Sequence, residues 1–378
     1  MKTAPLILGL ALALSGCASA PVAPLSSTAD VGTISPAEKR LWTEAMEFDE
    51  AMARSDRLYD DPAATQYVQS VMDRLYPELR GTVRVRIVKS PHLNAFALPN
   101  GSIYIHLGLL ARLENEAQLA TVLGHEAAHF THKHGLRQRE TVKSASAFAT
   151  VTSVIGIPLI DVLATSSIYG YSRDLEREAD QIGFERLVKA GYAPSESVKS
   201  FELLAAESKA LDLKEPFFFS THPRMQERIE TYQELVAKQP ATGRTGRIEF
   251  LAATRGVRLA NLETDLSMDR YKSIILALED HSRLADYPPE ASYYLGEALR
   301  KRGAQGDESQ AEKAYRDAIG KAPSFAPSYR ALGMLYMKRR DGTRAQNLLG
   351  KYLQLAPNAP DRDYVLQYYA ELKREGKR

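Results

Sequence analysis

The segment His125-Glu126-Ala127-Ala128-His129 contains the residues whose types and spacing are best suited to chemistry. Two histidines four residues apart lie on the same face of an α-helix, so both imidazoles can bind one Zn²⁺. Glu126 lies between them, where its carboxylate can reach a metal-bound water. Zinc lowers the pKa of such a water from about 15.7 towards about 7, and the glutamate can then take its proton. The segment therefore indicates metal-dependent hydrolysis.

The chain around this motif is predicted to form an amphipathic helix. Its apolar side chains recur at helical spacing, and the motif histidines fall beside this stripe, which comprises Leu119, Val122, Leu123, Ala127 and Phe130. Gly135 is predicted to form the C-cap. His132 and His134 are predicted to be solvated residues at the end of the helix, and a role in metal binding is the alternative.

A catalytic zinc site needs a third protein ligand, because zinc normally takes three side chains and leaves the fourth position for water. The segment 172–188 has a helical pattern that places Glu176 and Asp180 on one face. We predict Glu176 as the third ligand and Asp180 as the carboxylate that accepts a histidine N–H and fixes its tautomer. Glu178 points elsewhere. The alternative is a charged, solvated helix with ion pairs between residues four apart.

Further segments occur in an order that is typical of one family, namely residues 94–101, 103–105, 116–129, 172–180 and 220–223. In these segments the chain resembles the CAAX prenyl protease and HtpX-like family of zinc metallopeptidases, in particular its soluble, periplasmic BepA-like branch. The resemblance covers roughly residues 36–240. It implies one Zn²⁺ per chain, with His125, His129 and Glu176 as ligands and Glu126 as the catalytic base.

Residues 83–88 and 102–106 are predicted strands of a small sheet, and a Pro-Asn-Gly turn signal lies between them. In zincins an edge strand beside the metal binds an extended substrate by pairing with its backbone. Ile103, Tyr104 and Ile105 are therefore predicted to bind substrate on such an edge strand. A purely structural hairpin is the alternative.

His222 precedes a proline and is predicted to lie in a loop, because the residue before proline is disfavoured in helices. The resemblance implies that this loop lies over the zinc. There His222 either occupies the open coordination position and restrains activity, which we favour, or hydrogen-bonds the developing oxyanion. A loop histidine without function is a further alternative.

The amino-terminal segment is predicted to direct export and lipid anchoring. Residues 1–16 combine a positive start with an apolar core, and they end before Cys17 in a sequence that resembles the bacterial lipobox. Cys17 is predicted to carry the lipid, and the residues after it favour the periplasmic face of the outer membrane. Residues 17–35 are predicted to form a flexible tether. With a single cysteine, no internal disulfide is expected.

The remaining composition is that of a globular protein, with 44% hydrophobic and 25% charged residues. A net charge of +2 without a basic run does not indicate nucleic-acid binding. Residues 144–171 are apolar, but Asp161 and helix-breaking residues interrupt them, so a membrane span is not predicted. We predict two short helices that form a flap beside the cleft; plain core packing is the alternative.

The last third of the chain contains a sequence repeat. Pro289, Pro323 and Pro357 are 34 residues apart, which is the period of tetratricopeptide (TPR) repeats. Helices at 247–284 and 361–373 are predicted to cap the two repeats, since two are few for a stable stack. The concave face of the stack is predicted to bind a partner or position a substrate, and a stabilising role is the alternative.

The predicted fold class is therefore mainly α (α+β). A zincin-like metalloprotease domain with a small β-sheet occupies residues 36–240, and an α-helical TPR solenoid occupies residues 241–378. We predict a lipid-anchored periplasmic zinc metalloendopeptidase whose substrates are unfolded, misfolded or stalled envelope proteins. Outer-membrane assembly machinery is a candidate partner of the TPR domain. The alternative is a TPR scaffold or chaperone for envelope protein assembly with latent protease activity.

Overall fold

A computed structural model of the chain describes residues 35–142, 171–212 and 225–375. Two regions follow one another along the chain. The first contains helices α1 to α8 and the strands β1 to β3, namely α1 (Pro36–Arg54), α2 (Pro62–Leu75), β1 (Arg84–Val88), β2 (Ala95–Ala97), β3 (Ser102–His106), α3 (Leu107–Arg112), α4 (Glu116–Thr131), α5 (His134–Val142), α6 (Arg173–Lys189), α7 (Ser195–Ala210) and α8 (Met225–Val236).

From Arg247 onward, every regular element of the described residues is a helix. The helices of this second region are α9 (Arg247–Ala253), α10 (Arg255–Ser267), α11 (Tyr271–Leu278), α12 (His281–Leu284), α13 (Ala291–Arg302), α14 (Asp307–Lys321), α15 (Ala326–Lys338), α16 (Gly342–Leu355) and α17 (Arg362–Glu375). The prediction of a mainly α fold with a small sheet and a following helical domain is confirmed.

The sheet has the strand order β1-β3-β2. β1 runs parallel to β3, and β2 runs antiparallel to it. The two predicted strands are present, whereas β2 was not predicted because three residues are too few for a clear alternating pattern. β3 is the central strand, so the prediction that Ile103, Tyr104 and Ile105 form an edge strand is wrong. Their backbone faces a neighbouring strand on both sides, and their side chains are fully buried.

Helix α4, which carries the histidine motif, forms as predicted but is buried along its whole length. Helices α2, α6 and α7 and the sheet surround it. Its first turn is capped by the Asn115 side chain, which accepts a hydrogen bond from the backbone N–H of Gln118 at 3.0 Å. The predicted C-cap at Gly135 is wrong. The chain turns earlier, at Lys133 (φ 52°), and Gly135 lies inside α5.

The repeats of the second region form two helix pairs, α13 with α14 and α15 with α16. Each pair contacts at a glycine that receives a large side chain, since a Cβ at Gly296 would lie 2.5 Å from the Tyr315 ring and one at Gly333 would lie 2.8 Å from Leu349. Helices α9 to α12 precede these pairs and α17 follows them. The predicted helices on either side of the repeats are therefore present.

The two regions share a buried polar contact. Arg112 of α3, whose side chain is 1% exposed, pairs with Glu207 of α7 at 2.6 Å and donates to the Ser273 hydroxyl of α11 at 2.8 Å. The apolar core of the first region also includes Phe250 and Val257. The predicted boundary between residues 240 and 241 stays a prediction, because packing of the first region continues beyond it.

Several predicted features lie outside the described residues: the signal peptide at 1–16, Cys17, the tether as far as residue 34, the segment 144–170 and His222. Within the part of the chain that is described, no helix is both long enough and apolar enough to cross a bilayer.

Candidate metal centre

Helices α4 and α6 approach each other backbone to backbone at Gly124 and Gly183. A Cβ at Gly183 would lie 2.7 Å from the backbone nitrogen of His125 and 2.8 Å from the carbonyl carbon of Gly124. Only glycine permits such an approach. Because Glu176 and Asp180 lie within the two helical turns before Gly183, this contact brings both carboxylates to the histidines of α4.

The three predicted ligands converge on one point. The Nε2 atoms of His125 and His129 are 3.0 Å apart, and each lies 3.5 Å from a carboxylate oxygen of Glu176. In a tetrahedral zinc site with bonds of about 2.0–2.1 Å, neighbouring ligand atoms are about 3.3 Å apart. These residues can therefore hold one metal ion. Glu126 follows His125 on α4 and is fully buried.

Asp180 lies behind the first histidine. Its Oδ1 is 2.9 Å from Nδ1 of His125, on the side of the ring that faces away from Glu176. A carboxylate in this position can accept the Nδ1–H and leave Nε2 free for a metal. Nη2 of Arg228 also lies 2.9 Å from this Nδ1, and the predicted role of Asp180 stays a prediction.

Arg228 of α8 belongs to the same cluster but was not predicted. Its side chain is 3% exposed, its Nε lies 3.1 Å from both carboxylate oxygens of Asp180, and its Nη1 lies 3.7 Å from Glu176. Burial alone would lower the pKa of Arg228, but the charges of Asp180 and Glu176 raise it above its usual value, so the guanidinium stays charged. One sequence signal could have revealed it: Arg228 interrupts the apolar stripe formed by Met225, Ile229 and Tyr232.

His134 is not solvated, and that prediction is wrong. The side chain is fully buried, and its Nδ1 lies 2.9 Å from Nδ1 of His129. Burial, followed by the positive charge of Arg137, lowers the pKa of His134 to about 3. The early turn at Lys133 is the physical reason, because it folds α5 back against the end of α4. His132 is half-buried.

Tyr171 completes the surroundings of the second histidine. Its ring stacks on the imidazole of His129 with the centroids 3.9 Å apart and the planes inclined by 16°. Burial, followed by the charges of Glu126 and Glu176, raises the pKa of the Tyr171 hydroxyl above its usual value. Tyr171 therefore stays protonated beside the cluster at neutral pH.

Comparisons with known proteins give a family match for the part of the chain that contains this cluster. Residues 62–236 match the sequence model of peptidase family M48. The matched segment covers a little under half of the chain. It contains all the residues of the cluster described above, from His125 to Arg228. The predicted relationship to the HtpX-like zinc metallopeptidases is thereby confirmed.

Individual relatives are similar to part of this chain. The beta-barrel assembly-enhancing protease of Yersinia pestis is 29% identical over 196 residues, which cover 47% of this chain and 40% of that protein. The Escherichia coli protein of the same name is 26% identical over 189 residues, or 46% and 39% of the two chains. The mitochondrial metalloendopeptidase OMA1 of Saccharomyces cerevisiae is 31% identical over 169 residues, or 41% and 47%. The chain thus spans less than half the length of these relatives.

Proposed function

We propose that this chain is a zinc metalloendopeptidase that hydrolyses peptide bonds in unfolded or stalled proteins of the bacterial envelope. The observation that carries the proposal is the convergence of His125, His129 and Glu176 within 3.0–3.5 Å of one another, with the Glu126 carboxylate on the same helix. Two imidazoles and one carboxylate with an open fourth position are the donor set of hydrolytic zinc sites. We propose one Zn²⁺ per chain.

Each residue of the cluster has its own role in hydrolysis. When bound, zinc supplies Lewis acidity that polarises the scissile carbonyl and acidifies water. Glu126 accepts the proton of the attacking water and passes it to the leaving amine. Asp180 holds His125 in the required tautomer, and Arg228 pairs with the Asp180 carboxylate.

We propose β2, and not β3, as the strand that binds the substrate. β2 pairs with β3 on one side, packs near α4, and has no strand on its other side among the described residues. An extended segment that pairs with this edge is bound mainly through its backbone, which suits unfolded chains of varied sequence. Next to this edge and to His129 lies a small cavity of about 30 Å³ whose lining includes Leu41, Trp42, Leu98, Pro99 and Phe130.

Location and partners are proposed from the names of two relatives and from the amino-terminal sequence. The names of the Yersinia and Escherichia relatives support substrates and partners from outer-membrane β-barrel assembly, with the TPR-like helices as the docking region. The lipobox-like sequence before Cys17 supports a lipid anchor in the periplasmic face of the outer membrane.

For His222, the restraining role and the oxyanion role both stay predictions. Replacement by alanine distinguishes them, because cleavage rises in the first case and falls in the second.

The direct test compares the mature chain, without lipid, with its Glu126→Gln variant. Both should bind one zinc per chain, and the variant should cleave an unfolded protein at least about 100-fold more slowly, since it lacks the proton acceptor. Glu185→Gln, at an exposed position of α6, is the matched control and should cleave like wild type. Equal cleavage by wild type and Glu126→Gln would contradict the proposal.

A scaffold or chaperone with latent proteolysis is the second candidate. One observation favours it: the exposed fractions of His125, Glu126, His129 and Glu176 are only 0–4%, so a substrate does not reach the cluster in this conformation. On this alternative, Glu126→Gln would suppress aggregation of an unfolded outer-membrane protein as well as wild type does. Removal of the second region would then abolish that effect.

A further inference from the structure

The two ring nitrogens of His129 face different groups. Nε2 points to His125 and Glu176, whereas Nδ1 lies 2.9 Å from Nδ1 of His134. At this distance one of the two Nδ1 atoms carries a proton and the other accepts it, since two N–H groups or two lone pairs would repel. A neutral His129 that offers the Nε2 lone pair to a metal carries its proton on Nδ1. His134 must then be the acceptor.

We propose that His134 is a positioning residue of the metal centre: its neutral imidazole accepts the Nδ1–H of His129 and thereby fixes the tautomer and the ring orientation of this ligand. The inference rests on the proposed zinc site. It concerns a side chain that would not itself touch metal or substrate, and that acts only through His129.

The surroundings of His134 favour the required tautomer. The side chain is fully buried, which disfavours the charged imidazolium. Its other nitrogen, Nε2, lies 3.6 Å from the carboxylate of Glu178, which is too long for a hydrogen bond but attracts an N–H at that position. Glu178 is held in place by Arg137 at 2.8 Å. The proton of His134 is therefore expected on Nε2, which leaves the Nδ1 lone pair for His129.

His134 and Tyr171 restrict different movements of the same ring. The stacked Tyr171 ring, 3.9 Å away, opposes tilting of the His129 imidazole out of its plane. The hydrogen bond to His134 opposes rotation of the imidazole within its plane and a flip that would exchange the two nitrogens. Together they hold Nε2 towards the other two ligands.

The two ligand histidines thus differ in their supporting acceptors. His125 faces the carboxylate of Asp180, whose charge is balanced by Arg228. His129 faces a neutral imidazole. In both cases the acceptor adds little net negative charge, and the Glu176 carboxylate, which lies 3.7 Å from Nη1 of Arg228, is the anionic member of the three proposed ligands. Hydrogen-bond acceptors with little net charge leave a bound zinc a stronger Lewis acid than carboxylate acceptors would.

The test measures zinc affinity of the mature chain by competition with a chromophoric chelator. His134→Leu removes the acceptor and should weaken zinc binding by about 10- to 100-fold, the usual effect of losing such a support. His134→Asn should stay within about threefold of wild type, because its amide oxygen can replace Nδ1 as the acceptor. His132→Leu, at a half-buried position two residues away, is the matched control and should bind zinc like wild type.

Three results would overturn the inference: His134→Leu binding zinc as tightly as wild type, His134→Asn binding as weakly as His134→Leu, or His132→Leu weakening zinc as much as His134→Leu. Thermal unfolding of the metal-free variants checks that each is folded, and the asparagine variant keeps the test valid if the leucine variant is not. If wild type binds no zinc, the proposed function fails as well. If wild type binds zinc and cleaves normally, and His134→Leu binds zinc as tightly as wild type, only the proposed role of His134 is refuted.

Discussion

Two helix pairs, one in each region, meet at a glycine but differ in what occupies the contact. In the first region, Gly183 of α6 lies against the backbone of Gly124 and His125 in α4. In the second, Gly333 of α15 receives the side chain of Leu349 from α16. The first contact is backbone to backbone, and the second is a side chain inserted into a gap.

The difference matches the task of each region. Short polar side chains can converge around a metal only if their helices lie unusually close, and the Gly124–Gly183 contact provides that distance. Helices of a repeat need only bury apolar surface against their neighbours, for which a leucine that fills a glycine gap is sufficient. Close packing therefore positions chemistry in the first region and provides stability in the second.

The largest effect is expected where the two regions meet. Arg112→Met leaves the buried carboxylates of Glu207 and Asp265 without this partner, and loss of one member of a buried pair costs about 3–5 kcal/mol. We expect a large fall in the free energy of unfolding, measured by urea titration. Lys338→Met, which removes a pair that is 74% exposed on the lysine side, should change stability by at most about 1 kcal/mol. Equal effects would show that the contact between the regions is unimportant.

The comparison of the two glycines is tested by replacing each with alanine. At Gly183 the new Cβ meets backbone, which cannot move away, so we expect about 1–3 kcal/mol of destabilisation and at least a tenfold loss of zinc affinity. At Gly333 it meets the end of the flexible Leu349 side chain, and the alanine gains helix propensity of about 1 kcal/mol, so the net change should be smaller.

Gly320→Ala is the control for this experiment, because nothing lies within 4 Å of a Cβ built at that helical position. It should stabilise the chain slightly and leave zinc affinity unchanged. The proposed difference between the regions would be refuted if Gly183→Ala retained full zinc affinity, or if Gly333→Ala were the more harmful of the two.

The smallest expected effect concerns acid sensitivity. Seven of the eight histidines precede residue 241, so acid should weaken the first region more than the second. Burial, followed by the charge of His92, lowers the pKa of His106 to about 3. Between pH 6.5 and pH 3, His106 therefore binds a proton more readily in the unfolded chain than in the folded chain. The free energy of unfolding falls as the pH drops below about 6.5. His106→Asn should reduce the loss of unfolding free energy between pH 7.5 and pH 5 by about 1 kcal/mol, measured by urea unfolding at both pH values. An unchanged pH dependence would contradict this.

The local patterns of the sequence were sufficient for much of the architecture. The 34-residue period predicted the paired helices of the second region, and the spacing of His125 and His129 placed both imidazoles on one face of α4. The pattern that put Glu176 and Asp180 on one face of α6 was correct for the same reason. These features depend on helical periodicity, which neighbouring residues determine by themselves.

Other parts of the site were decided only by tertiary structure. His134 looked like a solvated residue at the end of a helix, but the turn at Lys133 buries it against His129. Arg228 reaches Asp180 from 48 residues away along the chain, and β3 became the central strand only because the unpredicted β2 pairs with its free side. Sequence periodicity tells which side chains share a face of one element; which elements meet, and how closely, depends on contacts such as that between Gly124 and Gly183, whose partners lie far apart in the chain.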